Sequence, residues 1–261
     1  MITYNLLDTY NEIAHFCTSR EGGVSVGNYA SLNLSPFTGD DELSFAENQH
    51  ILCTQVGIDP ECMIIPFQTH GSEIREIDKA FFELSTEDRR AYLNGVDAVV
   101  TRLPGIFVGV TTADCVPLLF FDPAKQVVAA AHAGWRGTCT GIVEKTISFM
   151  IEKHKSNPAD ILVAIGPSIS VDVYEVGEDV VAEFKSAGFE ISEIIEKRNN
   201  SAFLNLWKAN QQLLEKNGIL NNHIEISGIC TYTEHERFFS ARRLGIKSGR
   251  LLSGIMLKKP E

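Results

Sequence analysis

The 261-residue chain lacks the features that would commit it to a membrane, to nucleic acid or to export. No stretch approaches the roughly 20 consecutive apolar residues of a transmembrane helix. The amino-terminal Met-Ile-Thr-Tyr-Asn has neither the basic nor the apolar region of a secretory signal, so a cytoplasmic location is expected. Basic residues are scarce: 23 Lys and Arg stand against 34 Asp and Glu, a net charge of −11. Phosphate backbones and anionic lipids need a basic face, so neither nucleic acid nor a membrane is expected as a partner. A small anion is still admissible, because a few arginines can reverse the field inside one cleft.

Other absences narrow the chemistry. The cysteines, Cys17, Cys53, Cys62, Cys115, Cys139 and Cys230, are scattered and form no C-x-x-C pair, so they read as reduced and mostly buried thiols. There are seven histidines and no His-x-His. A multicopper oxidase requires a mononuclear and a trinuclear centre, about ten histidines with many in such pairs. Conventional laccase chemistry is thereby excluded. No repeat, low-complexity tract or linker divides the chain, so residues 1–261 are expected to form a single domain.

What is present has the texture of an α/β (α+β) domain with mixed sheets between helices. Strand-length apolar runs fall at Ile13–Arg20, Cys62–Phe67, Val96–Thr101, Ile106–Thr112, Pro117–Phe121, Val127–His132 and Ile161–Ile165, with two more near 223–229 and 251–257. Asp122-Pro123 predicts a turn that makes the fifth and sixth runs an antiparallel pair. Helices are predicted at Glu42–Val56, capped by Asp40 or Asp41, at 143–155, at 178–187, and at 206–217, capped by Asn205.

Three segments stand out: Gln-Thr-His-Gly (68–71), Thr-Ala-Asp-Cys-Val-Pro (112–117) and Ala-His-Ala-Gly-Trp-Arg-Gly (131–137). Each sets a potential metal ligand, His70, Cys115 or His132, where a predicted strand ends. Two imidazoles and a thiolate form an open zinc site, with the fourth position left for water or substrate. The same atoms also suit a metal-independent thiol hydrolase or amidase, with Cys115 as nucleophile, His132 as base and Gln68 or Asp114 orienting that base. Arg136, four residues past His132, is expected to point into the same cleft. Arg20, Arg242 and Arg243 are further forks for phosphate or carboxylate.

These motifs, in this order, resemble the laccase-domain (polyphenol-oxidase-like) family of zinc-containing purine nucleoside phosphorylases. The similarity extends through Ser19–Ser25, Ser31–Leu34, Gly166–Ile169, Tyr174–Val176 and Phe238–Arg243. It implies Zn2+ on His70, Cys115 and His132, and an α/β/β/α-like layering. It also implies phosphorolysis of adenosine, inosine, guanosine and methylthioadenosine, with adenosine deamination as a second activity. On that reading Asp114 and Arg136 are candidate catalytic residues, and Arg20, Asn33, Gln68 and Arg242 are candidate contacts for nucleoside or phosphate. A monomer or weak homodimer is expected. Two departures are visible: Gln49 follows Asn48 where the family resemblance leads one to expect arginine, and Ala241 replaces an aromatic residue.

Overall fold

Val116–Asp122 and Val127–Ala133 are buried at every position, so each must lie in a sheet covered on both faces. The structure, a computed structural model, describes residues 1–259 and realises that expectation. A six-stranded mixed sheet runs β12 (Ile224–Ile226), β8 (Leu162–Ile165), β6 (Val116–Asp122), β7 (Val127–Ala133), β4 (Ala98–Thr101), β3 (Ile74–Ile77). Its two outer pairs are parallel and the inner ones antiparallel. A four-stranded mixed sheet runs β1 (Ile13–Cys17), β13 (Leu251–Leu257), β5 (Phe107–Thr112), β2 (Met63–Ile64). A small antiparallel sheet joins β10 (Ile195–Arg198), β11 (Ser201–Leu204) and β9 (Glu175–Val176).

Strand alternation sorts the core into layers. Val116, Leu118 and Phe120 of β6 pack on Val143, Ile147 and Met150 of the helix Ile142–His154 and on the helix Leu206–Lys216. The intervening Leu119 and Phe121 point the other way, against Val108, Val110 and Ile255 of the four-stranded sheet. The far side of that sheet, with Phe107 and Leu252, is closed by Leu52 and Cys53 of the helix Glu42–Val56. The order is therefore helix, sheet, sheet, helix. Burying a side chain such as Phe120 contributes roughly 1.5–3 kcal/mol, which makes the doubly covered hairpin β6–β7 the anchor of the fold.

Local signals explain the boundaries. Asp41 caps its helix by accepting from Ser44 N at 2.8 Å, and Asn205 caps another by accepting from Lys208 N at 2.9 Å. The Asp122-Pro123 turn forms because Asp122 Oδ1 accepts from the amides of Ala124 and Lys125, both at 2.9 Å. The run 62–67 contributes only Met63–Ile64 to a sheet. Pro66 has no amide hydrogen, and Phe67 leaves the ladder to donate to Leu93 O at 3.0 Å. The strand expected over Ile13–Arg20 ends at Cys17, where Arg20 N turns to Arg237 O. The hairpin β10–β11 was not anticipated, although Asn199 and Asn200 (φ 47° and 67°) supply the two left-handed residues of a tight turn. Nor was β3, an edge strand.

Candidate metal centre

The β6–β7 register pairs Pro117 with His132 and Val116 with Ala133, which brings Cys115 beside Gly134. His132 lies on β7 and is buried. Cys115 ends the three-residue connection between β5 and β6, and Asp114 there has φ 85°. Both oxygens of Asp114 are engaged: Oδ1 accepts from Thr231 Oγ1 at 2.7 Å, and Oδ2 from Ser240 Oγ at 3.0 Å and Arg242 N at 2.6 Å. These bonds hold the strained turn that presents the thiol.

His70 arrives from a loop, exposed and with φ 62°. Its position is set by Asp97, which is fully buried at the entrance to β4. Asp97 Oδ1 accepts from His70 N at 3.0 Å, while Oδ2 accepts from Gly71 N at 2.7 Å and Thr69 N at 3.3 Å. The same Oδ1 lies 2.8 Å from His132 Nδ1. One carboxylate thus folds the His70 loop and fixes the His132 tautomer, with the proton on Nδ1 and the Nε2 lone pair free for a ligand. Burial would raise the Asp97 pKa, but the bond and charge of His132 with the loop amides hold it below its ordinary value.

One ligand atom from each of His70, Cys115 and His132 lies within 4.8 Å of the others, and the imidazole centroids are 4.8 Å apart at 76°. A tetrahedral metal with bonds of 2.0–2.3 Å needs ligand atoms about 3.5 Å apart, a contraction that the exposed His70 can supply. A Cβ at Gly134 would stand 3.0 Å from Cys115 Sγ and 3.2 Å from His70 Cδ2, so the site is kept open by the absence of a side chain there. Among the described residues no fourth His, Cys, Asp or Glu joins the trio, and no second cluster of this kind occurs. The donor set and the cradle fit one metal with an open position, and not a multicopper array.

Electrostatics agree. Burial opposes ionisation of Cys115, but the charge of His132 and hydrogen bonds from both histidines bring its pKa down to about 6. Burial likewise opposes the charged form of His132, but Cys115 and Asp97 raise its pKa to about 9. Without metal the pair is therefore a thiolate and an imidazolium at neutral pH.

The remaining candidates separate. Gln68 closes on Thr111, accepting from its amide at 2.8 Å and donating to its carbonyl at 2.9 Å, so it ties the His70 loop to β5 and does not orient a base. Asn33 is buried and hydrogen-bonded to Ser35, Thr38, Asp40 and Arg250 N, so its amide braces the loop before the helix Glu42–Val56 against the start of β13. Arg20 donates to Ala30 O and His235 O and lies over Phe239, joining two loops. Asp114 is occupied by its turn, and the orienting carboxylate is Asp97. An acidic residue inside the apolar run Val96–Val100 was the available signal for it. Arg136 is exposed over Trp135 at 4.2 Å. Arg242 lies over Tyr174 at 5.1 Å and donates to Glu175 O. Asn48, next to the unexpected Gln49, is satisfied by Val24, Ser25, Ser31 and Asn33 and pins the loop carrying Arg20.

Comparison with known proteins gives a consistent picture. The chain is 42% identical to a purine nucleoside phosphorylase of Bacteroides thetaiotaomicron, across 99% of this chain and 97% of that one. It is 41% identical to adenosine deaminase RL5 of an unknown prokaryotic organism, with 93% of each covered. The crystal structure of YlmD from Geobacillus stearothermophilus superposes with a TM-score of 0.89 at 32% identity, over 95% of this chain and 93% of that one. Residues 14–258 match the family described as multi-copper polyphenol oxidoreductase laccase, and the chain belongs to that family.

Proposed function

We propose that the protein is a zinc-dependent purine nucleoside phosphorylase, acting on adenosine, inosine, guanosine and methylthioadenosine, with adenosine deamination as a second activity. The observation that carries this reading is the open His70–Cys115–His132 trio oriented by Asp97, in a chain whose relatives bear the names of nucleoside-processing enzymes. When bound, zinc would supply a Lewis acid and a route to activated water, the chemistry that displacement of an amine from a purine requires. In phosphorolysis an oxygen of phosphate bonds to the anomeric carbon as the carbon–nitrogen bond to the base breaks. The electron pair leaves with the base, which takes up the proton that hydrogen phosphate gives up on forming the new carbon–oxygen bond. The chain's part is to hold phosphate near a developing oxocarbenium charge, a task suited to Arg136 and Arg242. Asp97 keeps His132 in one tautomer throughout.

Metal analysis of protein purified without added zinc, with hypoxanthine release from inosine followed with and without phosphate, tests this directly. About one zinc per chain and strictly phosphate-dependent release are expected, both lost in His70→Ala. Full activity in His70→Ala would sink the assignment. The chain Cys115–His132–Asp97 also has the order of a thiol nucleophile, base and orienter, which supports a metal-independent hydrolase as the second reading. Turnover undiminished by chelators would favour it.

A further inference from the structure

Arg250 stands immediately before β13, where the pairing of Leu251 with Thr112 sets it opposite Ala113, next to Asp114 and Cys115. Its backbone is clamped, with N donating to Asn33 Oδ1 at 2.9 Å and O accepting from Leu34 N at 3.1 Å. The guanidinium is mostly withdrawn from water and held in one orientation. Nη1 donates to Ser248 O at 2.7 Å and Gly249 O at 3.0 Å, and Nη2 to Ile246 O at 2.9 Å. No hydrogen bond from Nε occurs among the described residues, so the edge formed by Nε–H and the neighbouring Nη2 hydrogen remains for a ligand.

Among the described residues no carboxylate forms an ion pair with this cation. The ion pairs of arginine among the described residues involve Arg75, Arg198 and Arg237 only. The acidic groups near Arg250 are Cys115 and Asp114, and Asp114 already serves three donors. Tyr174 is within electrostatic reach of Cys115, Arg242, Asp114 and Arg136, and the Arg242 guanidinium lies over its ring at 5.1 Å, so these charges are neighbours. Withdrawing a guanidinium from water without a counter-ion is costly unless an anion completes it. In a chain of net charge −11, that cost buys a local positive field.

The geometry points to Arg250 as the pre-oriented fork that holds the tetrahedral oxyanion co-substrate, inorganic phosphate, beside the metal centre, with Arg136 and Arg242 completing the field. This rests on the phosphorolytic reading above. Bidentate contact from a fixed fork suits phosphate geometrically, whereas a lysine offers only a point charge.

Zinc-loaded wild type, Arg250→Met and Arg250→Lys should be compared by initial rates over matrices of inosine and phosphate, and by calorimetry with inorganic phosphate alone. In Arg250→Met the KM for phosphate is expected to rise at least about tenfold, while that for inosine changes less than about threefold. Calorimetric binding of phosphate should disappear, and Arg250→Lys should fall between. If Arg250→Met does not fold, Arg250→Lys decides, with a phosphate KM raised about threefold or more expected from loss of the fork. An unchanged phosphate KM, equal rises in both KM values, or wild-type phosphate affinity in the variants would overturn the assignment. A wild type without phosphate-dependent release would refute the phosphorylase reading, and calorimetry would still decide on Arg250.

Discussion

Replacing Asp97 by asparagine isolates the one group that serves two ligands at once. The carboxylate is fully buried and accepts four hydrogen bonds, three from loop amides and one from His132 Nδ1. In Asp97→Asn one oxygen becomes an NH2 that can only donate. Turned toward Gly71 and Thr69 it faces two N–H groups. Turned toward His132 it faces His70 N, and it pairs with His132 only if the imidazole moves its proton to Nε2, the ligand atom. Either choice damages the site. Loss of an outer carboxylate at a metal-bound histidine costs about 10–100-fold in metal affinity. An unsatisfied buried donor costs about 1–3 kcal/mol, and more where charge is lost, so the metal-free protein should lose roughly 3–5 kcal/mol of stability. Zinc affinity read by competition with a chromophoric chelator, with urea unfolding of the metal-free protein, measures both numbers. Wild-type zinc affinity together with unchanged unfolding would refute the reasoning.

Three further outcomes are expected. Gly134→Ala places a methyl 3.0 Å from Cys115 Sγ, so zinc stoichiometry should fall while the circular dichroism spectrum is retained; full zinc content would show that the loop yields more easily than this geometry allows. In metal-free protein, iodoacetamide should label Cys115 with a midpoint near pH 6, faster as pH rises, and zinc should protect it; a midpoint above 8 would contradict the thiolate–imidazolium pair. Burial lowers the pKa of His15 and His154 from the ordinary 6.5, and His15 Nε2 accepts from Tyr4 N at 3.0 Å, a bond its protonation destroys. The unfolded chain then binds protons more readily, so their contribution to stability is complete above pH 6.5 and is lost as pH falls below it; a melting temperature flat from pH 7.5 to 5 would exclude this linkage.

The cluster of His70, Cys115 and His132 was legible because each stands where an apolar run ends, in a short segment with glycine, aspartate or arginine nearby. Long apolar runs and capped helices were legible for the same reason: period and cap are local. Asp97 was visible only as an acidic residue in an apolar run; its role was not, because its partners lie on a loop and on a neighbouring strand. Arg250 became visible only through the register of β13 on β5, a pairing of distant segments. The hairpin at 195–204 carries Glu-Lys-Arg in its first strand, so burial could not mark it, and only its Asn-Asn turn betrays it. The backbone partners of Gln68 and Asn33 were not legible either, because they lie on β5 and at the start of β13, far away in the sequence.

The His70 loop has a consequence of a different kind. Gln68 fastens it to β5 of the four-stranded sheet, and Asp97, at the entrance to β4, fastens it to the six-stranded sheet that carries His132. The loop is a strap across the seam between the two layers. The β6–β7 hairpin sets Val116 beside Ala133, but His70 joins Cys115 and His132 only when the layers are mated and the strap is drawn tight. If the trio holds a metal as proposed, its retention would gauge the integrity of the seam: an opening that lets the layers slip would release the ion, and the rate of its escape would be a clock for that opening.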